Sequence, residues 1–260
     1  VKTAAGLTAL VLAGSRGPHE ALAVYAGVSH KALIEIGGRT MVERVVEALA
    51  GLPEIARIVV MIEEPALLDG LAGLRRLGTR VRTLRAAGSP SLSVNAALEQ
   101  LGTPLLVTTA DHALLETAWV RHFLEHCPAD RDVCVALARR QEVVAAVPDT
   151  QRTWLRFADG QFSGCNLFYL ATPAAGRVVR FWRQLENDRK QPLKMLRRVG
   201  YGSALRYVLG RLSLVSALDR IGERCDARAA MVELPFGRAA VDVDKPSDLD
   251  LVRRLVEPGA

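Results

Sequence analysis

Short apolar runs rich in β-branched residues alternate with longer stretches of helical period through the first half of this 260-residue chain. That alternation predicts βαβ units and a mainly parallel sheet covered by helices on both faces, a three-layer α/β/α sandwich. Leu7 to Leu12 reads as the first strand and Ile55 to Ile62 as the second. Between them, Thr40-Met41-Val42-Glu43 forms a capping box that opens a helix to about Ala50, with Val42, Val45, Val46 and Leu49 on its buried side. The period then predicts a helix over 66–77, a strand over 80–84, a helix over 91–101 and a buried strand over 104–109. Further strands follow over 132–137 and 161–170. From 173 to 221 the pattern is helical, with breaks near Pro192 and Gly200-Tyr201-Gly202. Strand-like residues return over 229–234 and 239–243, and a last helix starts near Pro246. The organisation expected is one domain over 1–260 with a helical insertion over 173–228.

Half of the residues are hydrophobic, enough for a substantial core. Aromatics at 5% are too sparse for the stacking platforms of single-stranded nucleic-acid binders, so no nucleic-acid partner is expected. The net charge of +6 suits an anionic ligand. Its basic residues concentrate between Arg177 and Arg228, including Arg189, Lys190, Lys194, Arg197 and Arg198, where acids are few. Such a run is either a solvated helix face or an acceptor-phosphate site. The four cysteines have no C-x-x-C spacing, which predicts reduced core residues and a cytoplasmic location. The apolar N-terminal run imitates a signal peptide but flows into the loop described next. No stretch is long enough to span a bilayer. The apolar stripe through Leu205, Val208, Leu209, Leu212, Val215 and Leu218 is expected to be buried, with membrane contact as the alternative.

The chemistry concentrates at strand ends. Leu12-Ala13-Gly14-Ser15-Arg16-Gly17 is a small-residue turn after a strand, where backbone N–H groups can approach phosphate oxygens, and Arg16 and Lys31 supply countercharge. An ordinary turn is the competing reading of the loop alone. The strand over 104–109 ends in Ala110-Asp111-His112. Ligands of open α/β sheets collect beyond the carboxyl ends of the strands, so Asp111 and the first loop are expected on one rim. Taken alone, Asp111 would more often be a helix N-cap. Gly164-Cys165-Asn166, inside a strand, is either a β-bulge or the border of an acceptor site.

Four ordered segments resemble the MobA-like nucleotidyltransferases. They are the loop from Leu12 to Gly17, the lysine segment from His30 through Lys31 to Met41, Thr109-Ala110-Asp111-His112, and Val241-Asp242-Val243-Asp244-Lys245-Pro246-Ser247-Asp248-Leu249. The chain departs from that family in lacking a second glycine before the arginine, and Pro18 to Ser29 lengthen the gap to the lysine. The resemblance implies a GT-A or Rossmann-like nucleotidyltransferase fold and transfer of a nucleoside monophosphate from an NTP to a phosphorylated acceptor, with pyrophosphate released. The acceptor would be a sugar, polyol, cofactor-precursor or lipid phosphate. Arg16, Lys31 and Asp111 would be catalytic, and Mg²⁺ or Mn²⁺ would be held by Asp111 and Asp244, with Asp242 as the alternative second ligand. His112 would be a structural neighbour. The nucleotide would contact Leu12 to Gly17, Lys31, Ser93, Asn95 and Asp111, and the acceptor Gly164, Asn166, Arg197 and Arg198. Ser93 and Asn95 are otherwise polar residues at a helix start. A nucleotide-sugar-dependent glycosyltransferase and a non-catalytic nucleotide-binding module are the competing readings.

Overall fold

A computed structural model describes residues 6–15, 20–188 and 200–257. Its strands are β1 (Leu7–Leu12), β2 (Glu35–Ile36), β3 (Arg39–Thr40), β4 (Ile55–Ile62), β5 (Val81–Arg85), β6 (Leu105–Thr109), β7 (Val133–Arg139), β8 (Leu155–Phe157), β9 (Gly160–Leu170) and β10 (Ala229–Glu233). The central sheet has the order β10-β7-β9-β6-β1-β4-β5, with β8 added on β9. Pairs β1–β4, β1–β6, β4–β5 and β7–β10 are parallel, whereas β9 runs antiparallel to β6, β7 and β8. β2 and β3 form a separate two-stranded ribbon.

The sheet is buried on both faces, which explains why its strands read as continuous apolar runs. Alternation along β1 sends Ala9 and Val11 into one core and Leu10 into another. Along β4, Ile58, Val60 and Ile62 join the first, while Val59 and Met61 join the second. The first core is closed by the helices Met41–Ala50, Thr117–His126 and Pro246–Val256, which contribute Val45, Phe123 and Leu249 among others. The second is closed by Pro90–Leu101 and Ala175–Asp188 through Val94, Ala97 and Val179. This is the three-layer sandwich expected. All four cysteines are buried and free.

Thr40 accepts from the Glu43 amide, and the Glu43 carboxylate accepts from the Thr40 amide, so the capping box closes as its sequence requires. Thr40→Ala removes the hydroxyl half of this exchange. It is expected to lower unfolding free energy by about 1 kcal/mol, read as a reduced urea midpoint with unchanged slope.

Four expectations change. The helix over 66–77 is instead a 3-10 turn, Pro65–Leu68, and a short helix, Ala72–Arg76. Asp69-Gly70-Leu71 separates them, because glycine loses more backbone entropy in a helix than any other residue. The strand over 239–243 is absent: Gly237–Ala240 is a 3-10 turn, and Val243 donates its amide to the Asp111 carbonyl instead of a neighbouring ladder. The helices Ala21–Ala26, Thr117–His126 and Arg140–Ala146 and strand β8 join the elements the pattern indicated. Of the apolar stripe, Leu212 is buried, but Leu205, Val208, Leu209 and Val215 are exposed.

Candidate active site

Backbone hydrogen bonds stitch the strand ends into one rim. Ala13 donates to the Met61 carbonyl, Ala110 to Leu12, and Val243 to Asp111, at 2.8, 2.9 and 3.0 Å. These bonds seat the loop after β1 beside the ends of β4 and β6, and carry Asp244 to the same place. Asp248 fixes the last segment further. Its carboxylate accepts from the amides of Asp244 and Lys245, both at 3.2 Å, so this aspartate caps the final helix.

Lys31 opens a 3-10 turn, Lys31–Leu33, whose preceding residue His30 accepts the Ala32 amide on Nδ1 at 3.1 Å. The turn aims the lysine along the rim. Its Nζ donates to Asp111 Oδ2 at 2.8 Å and to Asp244 Oδ1 at 3.1 Å. Lys31 is only 8% exposed, whereas the Asp244 side chain is 64% exposed. Burial disfavours the ammonium, but Asp111 and then Asp244 overcome it and hold the lysine up at about 12. Burial likewise pushes Asp111 above the usual carboxylate value, against the pull of Lys31 and a hydrogen bond from the Thr109 hydroxyl.

Asp242 is engaged elsewhere. It pairs with Arg152 and accepts from Asn166 Nδ2 at 2.9 Å. Burial alone would raise its carboxyl, but Arg152 and Asn166 bring it below the ordinary value. Asn166 reaches it because β9 bulges against β7 here, leaving Asn166 in the left-handed region at φ 47°. Asparagine tolerates that conformation better than most side chains. The Gly164-Cys165-Asn166 motif is thus a bulge that delivers its amide to the rim. Arg152 lies between Arg140–Ala146 and β8, in a segment with no periodic pattern, so sequence reading passed over it.

Glu63, the residue after β4, was also missed, although the strand-end rule could have found it. Its Oε1 accepts the Ser15 amide at 2.8 Å, and its Oε2 lies 3.1 Å from His30 Nε2. A carboxylate therefore sits on the amide that the small-residue loop was expected to offer an anion. Ser15 also donates its hydroxyl to Glu20 at 2.6 Å. Arg16 and Gly17 lie outside the described residues, as do Arg189, Lys190, Lys194, Arg197 and Arg198.

Ser93 and Asn95 stand apart from the lysine and its carboxylates in their bonding. Buried Ser93 accepts the Ala87 amide at 3.0 Å, and Asn95 donates to Glu99 one helical turn on at 2.7 Å. His112 is fully buried and its ring lies tilted against Trp119, with centroids 6.1 Å apart; burial lowers its pKa to about 4.

Among the described residues no group of three or more His, Cys, Asp or Glu forms a metal cage. Asp111 and Asp244, however, already bind one cation between them, the Lys31 ammonium. Two hard oxygen donors of this kind are the chemistry that would suit Mg²⁺.

The family model described as the MobA-like NTP transferase domain matches residues 9–225. A solved structure of a hypothetical transferase from Thermus thermophilus shares 32% identity at a TM-score of 0.81, covering 94% of this chain and 99% of that one. The fold alone is shared with a nucleotidyl transferase from Methanothermobacter, at 19% identity and TM-score 0.55 over 98% of this chain and 99% of that one. The same holds for 4-diphosphocytidyl-2C-methyl-D-erythritol synthase from Anaerococcus prevotii, at 10% identity and TM-score 0.60 over 97% and 96%. No curated protein sequence matches the chain.

Proposed function

This chain belongs to the MobA-like NTP transferase family, and from that premise we propose that it transfers a nucleoside monophosphate from an NTP to a phosphorylated acceptor. The observation that carries the reading is the Lys31 ammonium held between Asp111 and Asp244 at the strand ends. One group there is cationic and two are hard anionic donors, the set needed where phosphates meet a divalent ion.

A phosphate oxygen of the acceptor attacks the α-phosphorus, forming a new P–O bond. The bond to the β-phosphate breaks, and its electron pair leaves on pyrophosphate. The attacking oxygen is already anionic, so no general base is required; the obstacle is repulsion between anions. Lys31 and Arg16 offset that repulsion on the triphosphate. Asp111 and Asp244 would hold Mg²⁺, which would supply positive charge to the phosphate oxygens. Asp244 is favoured over Asp242 because both Asp242 oxygens are taken, Oδ1 by Arg152 and Oδ2 by Asn166, whereas the exposed Asp244 meets Lys31 through Oδ1. The loop from Leu12 to Gly17 offers backbone amides, and Glu63 must yield the Ser15 amide before a phosphate takes it. Asn166 and Gly164 border the acceptor, and the helical insertion over 173–228 selects it, with Arg197 and Arg198 on the acceptor phosphate. A cytoplasmic location, where NTPs are available, goes with this reading.

The test is pyrophosphate release from each of the four NTPs with Mg²⁺, against a panel of sugar, polyol, cofactor-precursor and lipid phosphates. One NTP is expected to release pyrophosphate only when its acceptor is present. Turnover of nucleotide sugars in place of NTPs would make the chain a glycosyltransferase of this fold.

A further inference from the structure

The helix Tyr201–Val208 turns one side to the protein and exposes the other to solvent. On the inner side, Ser203 is buried and accepts from Arg220 Nη1 at 2.9 Å, and the Tyr207 ring packs edge-on against Phe157 of β8 at 5.4 Å. On the outer side, positions i, i+4 and i+7 are Tyr201, Leu205 and Val208, exposed by 61%, 60% and 80%. Leu209 continues this surface at 56%, Gly210 turns the chain at φ 65°, and the Leu212 carbonyl returns to accept the Ala158 amide. The result is an apolar projection anchored on β8, with Arg206 and Arg211 exposed beside it.

The stretch of sequence that contains this projection is one-sided in charge. Residues 189–218 contain seven of the chain's Lys and Arg and no Asp or Glu, so the other 230 residues balance to within one charge. The five of these basic residues before residue 200 lie outside the described structure and enter only as sequence charge. Aliphatic and tyrosine side chains standing out of a helix beside the exposed Arg206 and Arg211 match the interface of an anionic bilayer. A basic surface would repel a second copy of itself, which disfavours self-association as the cover for this face. No described helix is long and apolar enough to cross a membrane, so the contact is peripheral.

We infer that this projection, formed by Tyr201, Leu205, Val208 and Leu209 with Arg206 and Arg211, docks the protein onto anionic lipid bilayers. The inference goes beyond the transfer reaction and is independent of it, since docking is read without nucleotide or acceptor. Its consequence for that reaction is spatial. β8 begins three residues after Arg152, the partner of Asp242, so docking would bring the acceptor border close to lipid-borne phosphates.

The experiment is flotation of the whole chain with phosphatidylcholine vesicles, with and without phosphatidylglycerol, at low and high salt. Flotation is expected only with the anionic lipid, falling with salt. Neutralising Arg206 or Arg211 should weaken it about fivefold each. Leu205→Asp with Val208→Asp should weaken it at least about tenfold, because the apolar contribution is lost and negative charge is added. Both residues are exposed, so thermal unfolding should stay unchanged; Val208→Gln replaces the pair if it does not. Absence of flotation for the unaltered chain overturns the inference. So does flotation indifferent to the Asp or Gln variants, which would mean charge alone. Concentration-dependent self-association abolished by these variants, without flotation, would assign the face to a second copy and overturn it too.

Discussion

Asp111→Asn is expected to abolish Mg²⁺-dependent NTP binding and to slow pyrophosphate release by at least about 10²-fold, the scale on which loss of one preorganised electrostatic group acts. The substitution keeps the side chain's shape and lets the Thr109 hydroxyl keep a partner. It removes the negative charge that Lys31 meets at 2.8 Å. Lys31 keeps Asp244 at 3.1 Å as a countercharge, so losing the charge of Asp111 lowers stability but leaves the chain folded at room temperature. Circular dichroism should therefore be unchanged while calorimetric Mg·NTP affinity falls. Equal affinity and turnover in the variant would remove Asp111 from the metal site and leave it as a structural partner of Lys31.

Lys31→Ala should slow turnover by about 10²-fold or more if the ammonium acts on the triphosphate in the transition state. It also leaves Asp111 buried without its countercharge, so some loss of stability at neutral pH accompanies it. The pH dependence separates the two effects. Lys31 is raised from 10.5 to about 12 in the folded chain. Its contribution to stability is thus complete below pH 10.5 and lost as the pH rises through about 12. The unaltered protein should lose that component across this window in denaturant melts, and Lys31→Ala should not. A turnover within about twofold of the unaltered enzyme would make Lys31 only the counterion that keeps Asp111 in place.

Much of the architecture was legible before any coordinates. β1, β4 and the helix Met41–Ala50 follow from the runs Leu7–Leu12 and Ile55–Ile62 and from the Thr40–Glu43 box, because apolar period and capping are local properties. The small-residue loop, Lys31, Asp111 and the Asp242–Asp244 segment stood out as residue types at strand ends. Their ordered resemblance to one family gave the fold class that the family match and the solved transferase bear out.

Local pattern failed where a neighbour decided the outcome. The stripe from Leu205 to Leu218 shows that a helix has an apolar side; it does not show whether anything covers that side, and at Leu205 and Val208 nothing among the described residues does. Ala239 to Val243 looks β-rich, but its edge meets the Asp111 carbonyl instead of a strand. Glu63 and Arg152 carry no motif, and each gains its meaning from a partner across the rim, Ser15 or Asp242. Bonding alone separates Asp242 from Asp244, two residues apart and chemically alike. The sequence by itself determined the layers of the fold and the side chains that could do phosphate chemistry. Only the tertiary structure brought Lys31 to Asp111, 80 residues away, and to Asp244, 213 residues away. Their meeting depends on the order in which strands pair and on bonds between strand ends, and neither is encoded in the period of any one segment.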